Sequence, residues 1–191
     1  MARPPLYDDA LRERLLEVTA EVVDRDGAAR AALRDIAKAA GTSTSAIYTL
    51  YGGKGELLAA VIEHGFASFG ASQEQAAPGG LRALGLAYRE WALAHPALYR
   101  LMFGGGLEDF AGCEPDPASA FASLRPLRAA IAAAGTDDVD RAAVAVWAQV
   151  HGAVSLELAR VAPHDADWPA VYDAVLDTIE HSWGAAGRAP A

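Results

Sequence analysis

The sequence predicts an all-α fold on three observations. Apolar residues recur at three- and four-residue spacing from end to end, alternating strand-like runs are weak everywhere, and clusters of glycine and proline separate the periodic stretches. About nine helices follow from that spacing. They group as an N-terminal three-helix module over residues 1–55 and a helical domain over residues 56–191, with a helix at 56–76 connecting the two.

In the first helix Leu11, Leu15, Val18 and Val22 share a face, and Gly27 ends it. Leu33, Ile36, Ala37 and Ala40 form a short second helix closed by Gly41, and a third runs from about Thr44 to Tyr51. After Gly52, Gly53 and Gly55, the pattern Leu57, Leu58, Val61, Ile62, Phe66 and Phe69 marks a longer fourth helix. Pro78, Gly79 and Gly80 precede a fifth, whose stripe is Leu81, Leu84, Tyr88, Trp91 and His95. Pro96 suits the first turn of a sixth, which runs out at Gly104 to Gly106. The stretch from Gly104 to Pro117 is the most loop-like in the chain. A seventh helix is expected from about Pro117 to Ala134, and an eighth from about Asp137 to Val161 with Thr136, Asp137 and Asp138 as available caps. Trp168 to Trp183 forms the last.

With 52% hydrophobic residues in 191, the chain has ample material for a packed core. No segment reaches 18 uninterrupted apolar residues and the N-terminus lacks a signal-peptide pattern, so the expectation is a cytoplasmic protein with no membrane partner. The single cysteine, Cys113, excludes an intrachain disulfide and a multi-thiolate metal site, and is expected to be a structural or surface thiol. The five histidines place no pair on one helical turn, so neither a metal nor any other cofactor is expected. No catalytic residues are expected either: Gly52, Gly53, Lys54 and Gly55 lack the spacing and following hydroxyl of a phosphate loop, and no G-x-S-x-G occurs.

Residues 33–51, LRDIAKAAGTSTSAIYTLY, have the construction of a helix-turn-helix. Two short helices that cross steeply need small residues where they touch (Ala37, Ala40) and a glycine free to turn left-handed (Gly41). Ile36, Ile47 and Leu50 would fill the wedge, and Thr42, Ser43 or Thr44 would cap the second helix, which is where a reading helix meets bases and phosphates. An ordinary helical hairpin satisfies the same spacing.

Residues 10–66 resemble the N-terminal domain of the TetR family of transcriptional regulators. The resemblance rests on Leu33 to Ala37, Ala40, Gly41, Ser43, Ala46 to Tyr48, Tyr51, Lys54 and Glu56 to Val61. It implies a dimeric regulator in which Arg34, Ser43, Thr44, Tyr48, Thr49 and Lys54 face double-stranded DNA, Tyr48 and Lys54 on phosphates; Tyr51, the aromatic of the pattern, joins the candidates. The chain departs from the pattern at Leu50, where an aromatic or histidine is usual, and at Gly53 and Gly55, which stand for a polar residue and a glutamate. A looser connector with one phosphate contact fewer is therefore expected.

The net charge of −9 is unfavourable for DNA, but residues 1–64 carry 8 basic and 10 acidic groups against 8 and 15 in residues 65–191. Most of the acidity thus sits behind the reading module, where charges more than about a Debye length of 10 Å away are screened. The chain has no asparagine, and Gln73, Gln75 and Gln149 all lie outside the reading helix, which itself has no Arg or Lys. The bidentate amide-to-adenine contact is therefore unavailable, leaving the hydroxyls and methyls of Thr42, Ser43, Thr44 and Thr49, with Arg34, to read bases and DNA shape to supply the rest. Arg3, in the N-terminal arm, is a further candidate for the minor groove.

Behind the module, residues 91–105 and 147–159 resemble the C-terminal domain of a TetR subgroup marked by W-x-x-x-H-G, here Trp147, His151 and Gly152. Aromatics carrying a few polar tips suit a small-molecule pocket, and the candidates are Tyr88, Trp91, His95, Tyr99, Met102, Phe103, Trp147 and His151. An aromatic core whose histidines are satisfied by backbone partners fits the same residues. Ala145, Ala148, Gly152, Ser155 and Ala159 form a small-residue stripe on another face of the eighth helix, expected at a homodimer interface with Tyr172 and Ile179 of the last helix. Packing on its own chain is the alternative for that stripe. The family-level expectation is a repressor whose two reading helices sit about 34–36 Å apart on a palindromic operator. A small, largely apolar effector would release it, with helix 56–69 as the lever; a helical adaptor without DNA binding is the rival reading.

Overall fold

The computed structural model describes residues 9–104, 117–161 and 166–184. Arg3, Cys113 and the expected loop at 105–116 lie outside the described residues. Among those described there is no strand, and the helices are α1 (Asp9–Asp26), α2 (Leu33–Ala39), α3 (Thr44–Tyr51), α4 (Lys54–Ala76), α5 (Gly80–Ala94), α6 (Pro96–Phe103), α7 (Pro117–Ser123), α8 (Arg125–Ala133), α9 (Val139–Ala159) and α10 (Trp168–Trp183), with a 3-10 turn at Ala77–Gly79.

Three elements differ from expectation. The connector is short rather than loose: α4 begins at Lys54, so that Gly55 is buried in its first turn and only Gly52 and Gly53 separate it from α3. Helix α5 stops at Ala94, and His95 takes the N-cap position of α6 at φ −125°, ψ 55°, because the residue before a proline is pushed out of helical geometry. The single helix expected from 117 to 134 is two. Pro126 has no N–H to give to Ala122 and its ring would strike that carbonyl, so the chain breaks at Leu124 and starts afresh as α8.

The chain divides into two compact units. The first comprises residues up to Ala67 together with His95–Ser119. Leu15 and Val22 of α1, Ile36 of α2, Ile47 of α3 and Leu57, Leu58 and Val61 of α4 are buried in it. Helix α6 packs on α1, where Arg100 grips the Asp24 carboxylate with two hydrogen bonds of 2.5 and 2.6 Å.

The second unit, Ser68–Ala94 with Ala120–Ala191, is built around α9, which packs against α5, α8 and α10. Gly85 of α5 lets α10 come close: a Cβ there would collide with Leu176, and the Tyr172 hydroxyl donates to the Gly85 carbonyl at 2.7 Å. Arg89 of α5 makes a bidentate pair with Glu157 of α9 at 2.6 and 2.8 Å, its guanidinium 5.6 Å from the centre of the Tyr172 ring. By length and composition α9 is apolar enough to cross a membrane. Its composition has a source in packing, since it buries Ala142, Ala143, Val146, Val150 and Val154 on one side and still carries Val144 and Leu156 exposed on the other.

Candidate functional site

The α2–α3 turn closes by main-chain bonds that require glycine. Gly41 sits at φ +69°, its N–H donates to Lys38 O at 3.2 Å, and the N–H of Thr42 donates to Ala37 O at 2.8 Å. This is the Schellman arrangement, which satisfies carbonyls at the end of α2 and turns the chain sharply. Ser43 then caps α3, its hydroxyl accepting from the Ala46 N–H at 3.2 Å. Ile36 and Ile47 are fully buried between the helices with Ala37, Ala40 and Ala46, whereas Leu50 is only half-buried.

With Ala46 and Ile47 turned inward, the opposite face of α3 is open. Tyr48 is 58% exposed, Ser43 and Thr49 are exposed, Thr42 and Thr44 are half-buried, and Arg34 on α2 stands out 3.6 Å from Asp35. The Thr49 hydroxyl donates to Ser45 O at 2.9 Å, which holds its rotamer. Lys54, at the start of α4, donates to Ala29 O at 3.5 Å, and its partial burial pulls its pKa down. Tyr51 is engaged elsewhere than expected. It is half-buried, its hydroxyl donates to Arg12 O at 3.0 Å, and it ties α3 to α1 instead of facing outward.

In the second unit a cavity of about 20 Å³ lies between α4, α5, α8, α9 and α10. Among the described residues its walls are Phe69, Gln73, Leu81, Leu84, Gly85, Tyr88, Ser123, Leu124, Leu127, Val146, Trp147, Val150 and Ile179, none of them charged. Of the expected ligand residues, Tyr88 and Trp147 line it. His151 and Trp91 stand just behind: Tyr88 Oη is 3.0 Å from His151 Nδ1, and Trp91 donates to Ser68 Oγ at 3.1 Å while its ring meets Phe69 edge-on. Burial lowers the His151 pKa, so its imidazole is neutral at pH 7. His95, Tyr99, Met102 and Phe103 belong to the first unit, where Phe103 packs edge-on against Phe66 and Tyr99; none of the four lines this cavity.

Gln73 was not among the residues expected here. It is 5% exposed and its Nε2 has no hydrogen-bond partner among the described residues. The signal was present in the spacing: Ile62, Phe66, Phe69 and Gln73 follow one another at 4-3-4, which places a polar side chain on the inward stripe of α4.

The small-residue stripe of α9 is open to the outside. Ala148 and Ala159 are exposed, Ala145, Gly152 and Ser155 are half-buried, and beyond its own helix backbone a Cβ on Gly152 would meet none of the described residues within 4 Å. Beside it Gln149, Ala153 and Leu156 of α9 and Trp168, Val171, Ala174, Val175 and Thr178 of α10 border an open groove of about 530 Å³. Tyr172 and Ile179, expected at this interface, require correction. They are 2% and 1% exposed, on the inner stripe of α10 with Leu176; the exposed residues of α10 that border the groove are Val171, Ala174 and Thr178.

Residues 81–179 match the tetracyclin-repressor-like C-terminal domain, and residues 15–61 match the bacterial regulatory proteins of the tetR family. Among solved structures, the regulatory protein SCO4313 is 27% identical with a TM-score of 0.77, the match covering 89% of this chain and 95% of that one. The TetR family regulator PfmR from Thermus thermophilus is 21% identical with a TM-score of 0.69, over 87% of this chain and 96% of its own. FadR from Bacillus subtilis, in complex with stearoyl-CoA, is 16% identical with a TM-score of 0.70, also over 87% and 96%. No curated protein sequence matches the chain.

Proposed function

Because the chain belongs to the TetR family of bacterial regulatory proteins, we propose that it is a homodimeric transcriptional repressor that leaves a palindromic operator when a small, largely apolar molecule binds behind the reading module. Residues 1–55 form the DNA-binding domain in this reading, and residues 56–191 sense the effector and dimerise. The chain acts in the cytoplasm, where its DNA is, and within the family it falls in the subgroup with Trp147, His151 and Gly152 as its signature. The observation that carries the proposal is α3: a capped helix with Ala46 and Ile47 buried and Ser43, Tyr48 and Thr49 exposed can enter a major groove with hydroxyls foremost. Arg34, Thr42, Ser43, Thr44 and Thr49 read bases, and Tyr48 and Lys54 take phosphates. Two copies are brought together by the open face of α9 and α10, and α4 is the lever, since it starts at Lys54 and carries Phe69 and Gln73 to the cavity wall.

The stearoyl-CoA held by the Bacillus subtilis neighbour supports effector binding in a domain of this fold. The uncharged lining of the cavity here does not call for a phosphate-bearing ligand.

The test is fluorescence anisotropy of the purified chain on labelled DNA from upstream of its own gene, at two salt concentrations. Specific binding at a palindrome, weakening steeply with salt, is expected. Absence of binding at either salt overturns the repressor and leaves a helical adaptor.

A further inference from the structure

We propose that Gln73 is the hydrogen-bonding anchor of the effector site, and that the effector is a compact, uncharged molecule presenting an acceptor oxygen, such as the carbonyl of a ketone, ester or lactone. The inference rests on the effector reading above and specifies what that site takes.

A buried amide N–H without an acceptor is unfavourable and rare, and in a pocket wall it marks the place where a ligand completes the bond. Gln73 meets that description, since its Nε2 is buried and unpartnered and its side chain lines the cavity. The two hydroxyls in the same wall are already engaged. Tyr88 pairs with His151 Nδ1 at 3.0 Å, and Ser123 donates to Ala120 O at 2.7 Å. The rest of the wall is carbon-rich, with Phe69, Trp147 and Val150 among its members, and among the described residues it contains no counter-charge. A carboxylate or ammonium would lose its water there with nothing to replace it, so a charged ligand is excluded by desolvation. A neutral carbonyl compound loses little and gains the Gln73 bond.

At about 20 Å³ the cavity has the size of a single water, so a ligand of several carbons must widen it. One wall is made by Ser123 and Leu124, where α7 gives way to α8. Short helices meeting at a break move apart more readily than a continuous helix bends, and this is the side on which the site opens.

Three probes of similar shape test the assignment by isothermal titration calorimetry on the full chain: acetophenone carries the acceptor, ethylbenzene lacks it, and benzoate adds a charge. The wild type is expected to bind acetophenone about tenfold more tightly than ethylbenzene, and benzoate not measurably. Gln73→Leu should lose that tenfold on the ketone alone, with the affinity for ethylbenzene unchanged. Gln73→Met provides the same comparison if the leucine variant packs poorly. Equal affinity for ketone and hydrocarbon in the wild type, retention of the preference in both variants, or no binding of any probe overturns the proposal. Anisotropy on operator DNA separates this failure from failure of the effector reading. Ketone preference without release from DNA keeps the Gln73 site and removes its regulatory role, whereas release by both probes alike keeps an effector and removes Gln73 as its anchor.

Discussion

Replacing Gly152 with leucine separates the folding of one chain from the association of two. Within its own chain the site has room, because beyond its own helix backbone a Cβ there meets no atom of the described residues within 4 Å, and Gly152 lies well inside α9. Glycine in a helix interior is unfavourable, so the substitution should stabilise the isolated chain by about 0.5–1 kcal/mol. Across a two-fold interface the arithmetic reverses. The stripe Ala145, Ala148, Gly152, Ser155 and Ala159 has no bulk of its own and would let a partner helix lie close, so each leucine enters an already filled contact. Overpacking costs about 1–3 kcal/mol per site, and symmetry counts it twice, giving about 2–6 kcal/mol, or roughly 30-fold to more than 10,000-fold in the dimer Kd. Sedimentation equilibrium from nanomolar to micromolar concentration reads the Kd, and circular dichroism melting at low concentration reads the chain itself. A variant that stays folded and dimerises within twofold of wild type would refute the placement of the interface. One that unfolds as a dilute monomer would refute the open space at Gly152.

Other substitutions test the elements that hold the two units in form. Gly41→Ala should cost about 1 kcal/mol in urea unfolding although its Cβ also meets nothing, since at φ +69° the penalty is conformational; Gly152→Ala should have the opposite sign. Arg89→Met strands Glu157, whose side chain is only 13% exposed, and should cost about 2–3 kcal/mol, most of it recovered in the double variant with Glu157→Leu; equal stability of single and double variants would count against the stranded charge. His151 has its pKa lowered by burial, so the unfolded chain takes up the proton more readily and stability should be full above about pH 6.5 and fall on acidification toward pH 5. His151→Gln should flatten the melting temperature across that range, and an unchanged slope would assign the pH dependence to other groups.

Much of the fold was legible because helix ends are written in residue types with local causes. Thr44 to Tyr51 and Trp168 to Trp183 lie where capping and spacing put them, and Gly27 and Gly41 stop α1 and α2 in left-handed geometry. The break at Leu124 was missed because an apolar pattern continues across it and Pro126 alone carries the message. His95 was misplaced for a similar reason: the 3-4-3-4 stripe reaches it, but Pro96 overrides the stripe. The candidate sites were harder to read, since facing inward and facing outward are equally apolar on both α9 and α10. Tyr172 and Ile179 share the helical spacing of an interface, yet the Gly85 approach on α5 draws that stripe into the chain, and nothing near residue 172 in the sequence records a partner 87 positions away. Gln73 is hard to pick out because a polar residue on a candidate core stripe reads as a break in the stripe rather than as part of a site.

Helix α9 joins the two proposed events. It turns Val146, Trp147 and Val150 to the cavity and Ala145, Ala148 and Gly152 to the opposite side, and helical geometry puts these sets about 180° apart. A ligand too large for 20 Å³ opens the site at the α7–α8 break, and because α8 packs directly on α9, its displacement bears on α9. Packed helices shift as bodies rather than compress, so movement of the cavity face is movement of the outer face as well. If the outer face is where two chains meet, the ligand alters how they meet without touching the partner. By linkage, the state of association then alters the ligand's affinity by the same factor. Two apolar faces on one helix, which made α9 resemble a membrane span in composition, are on this argument what allows a buried ligand to be registered where two chains meet.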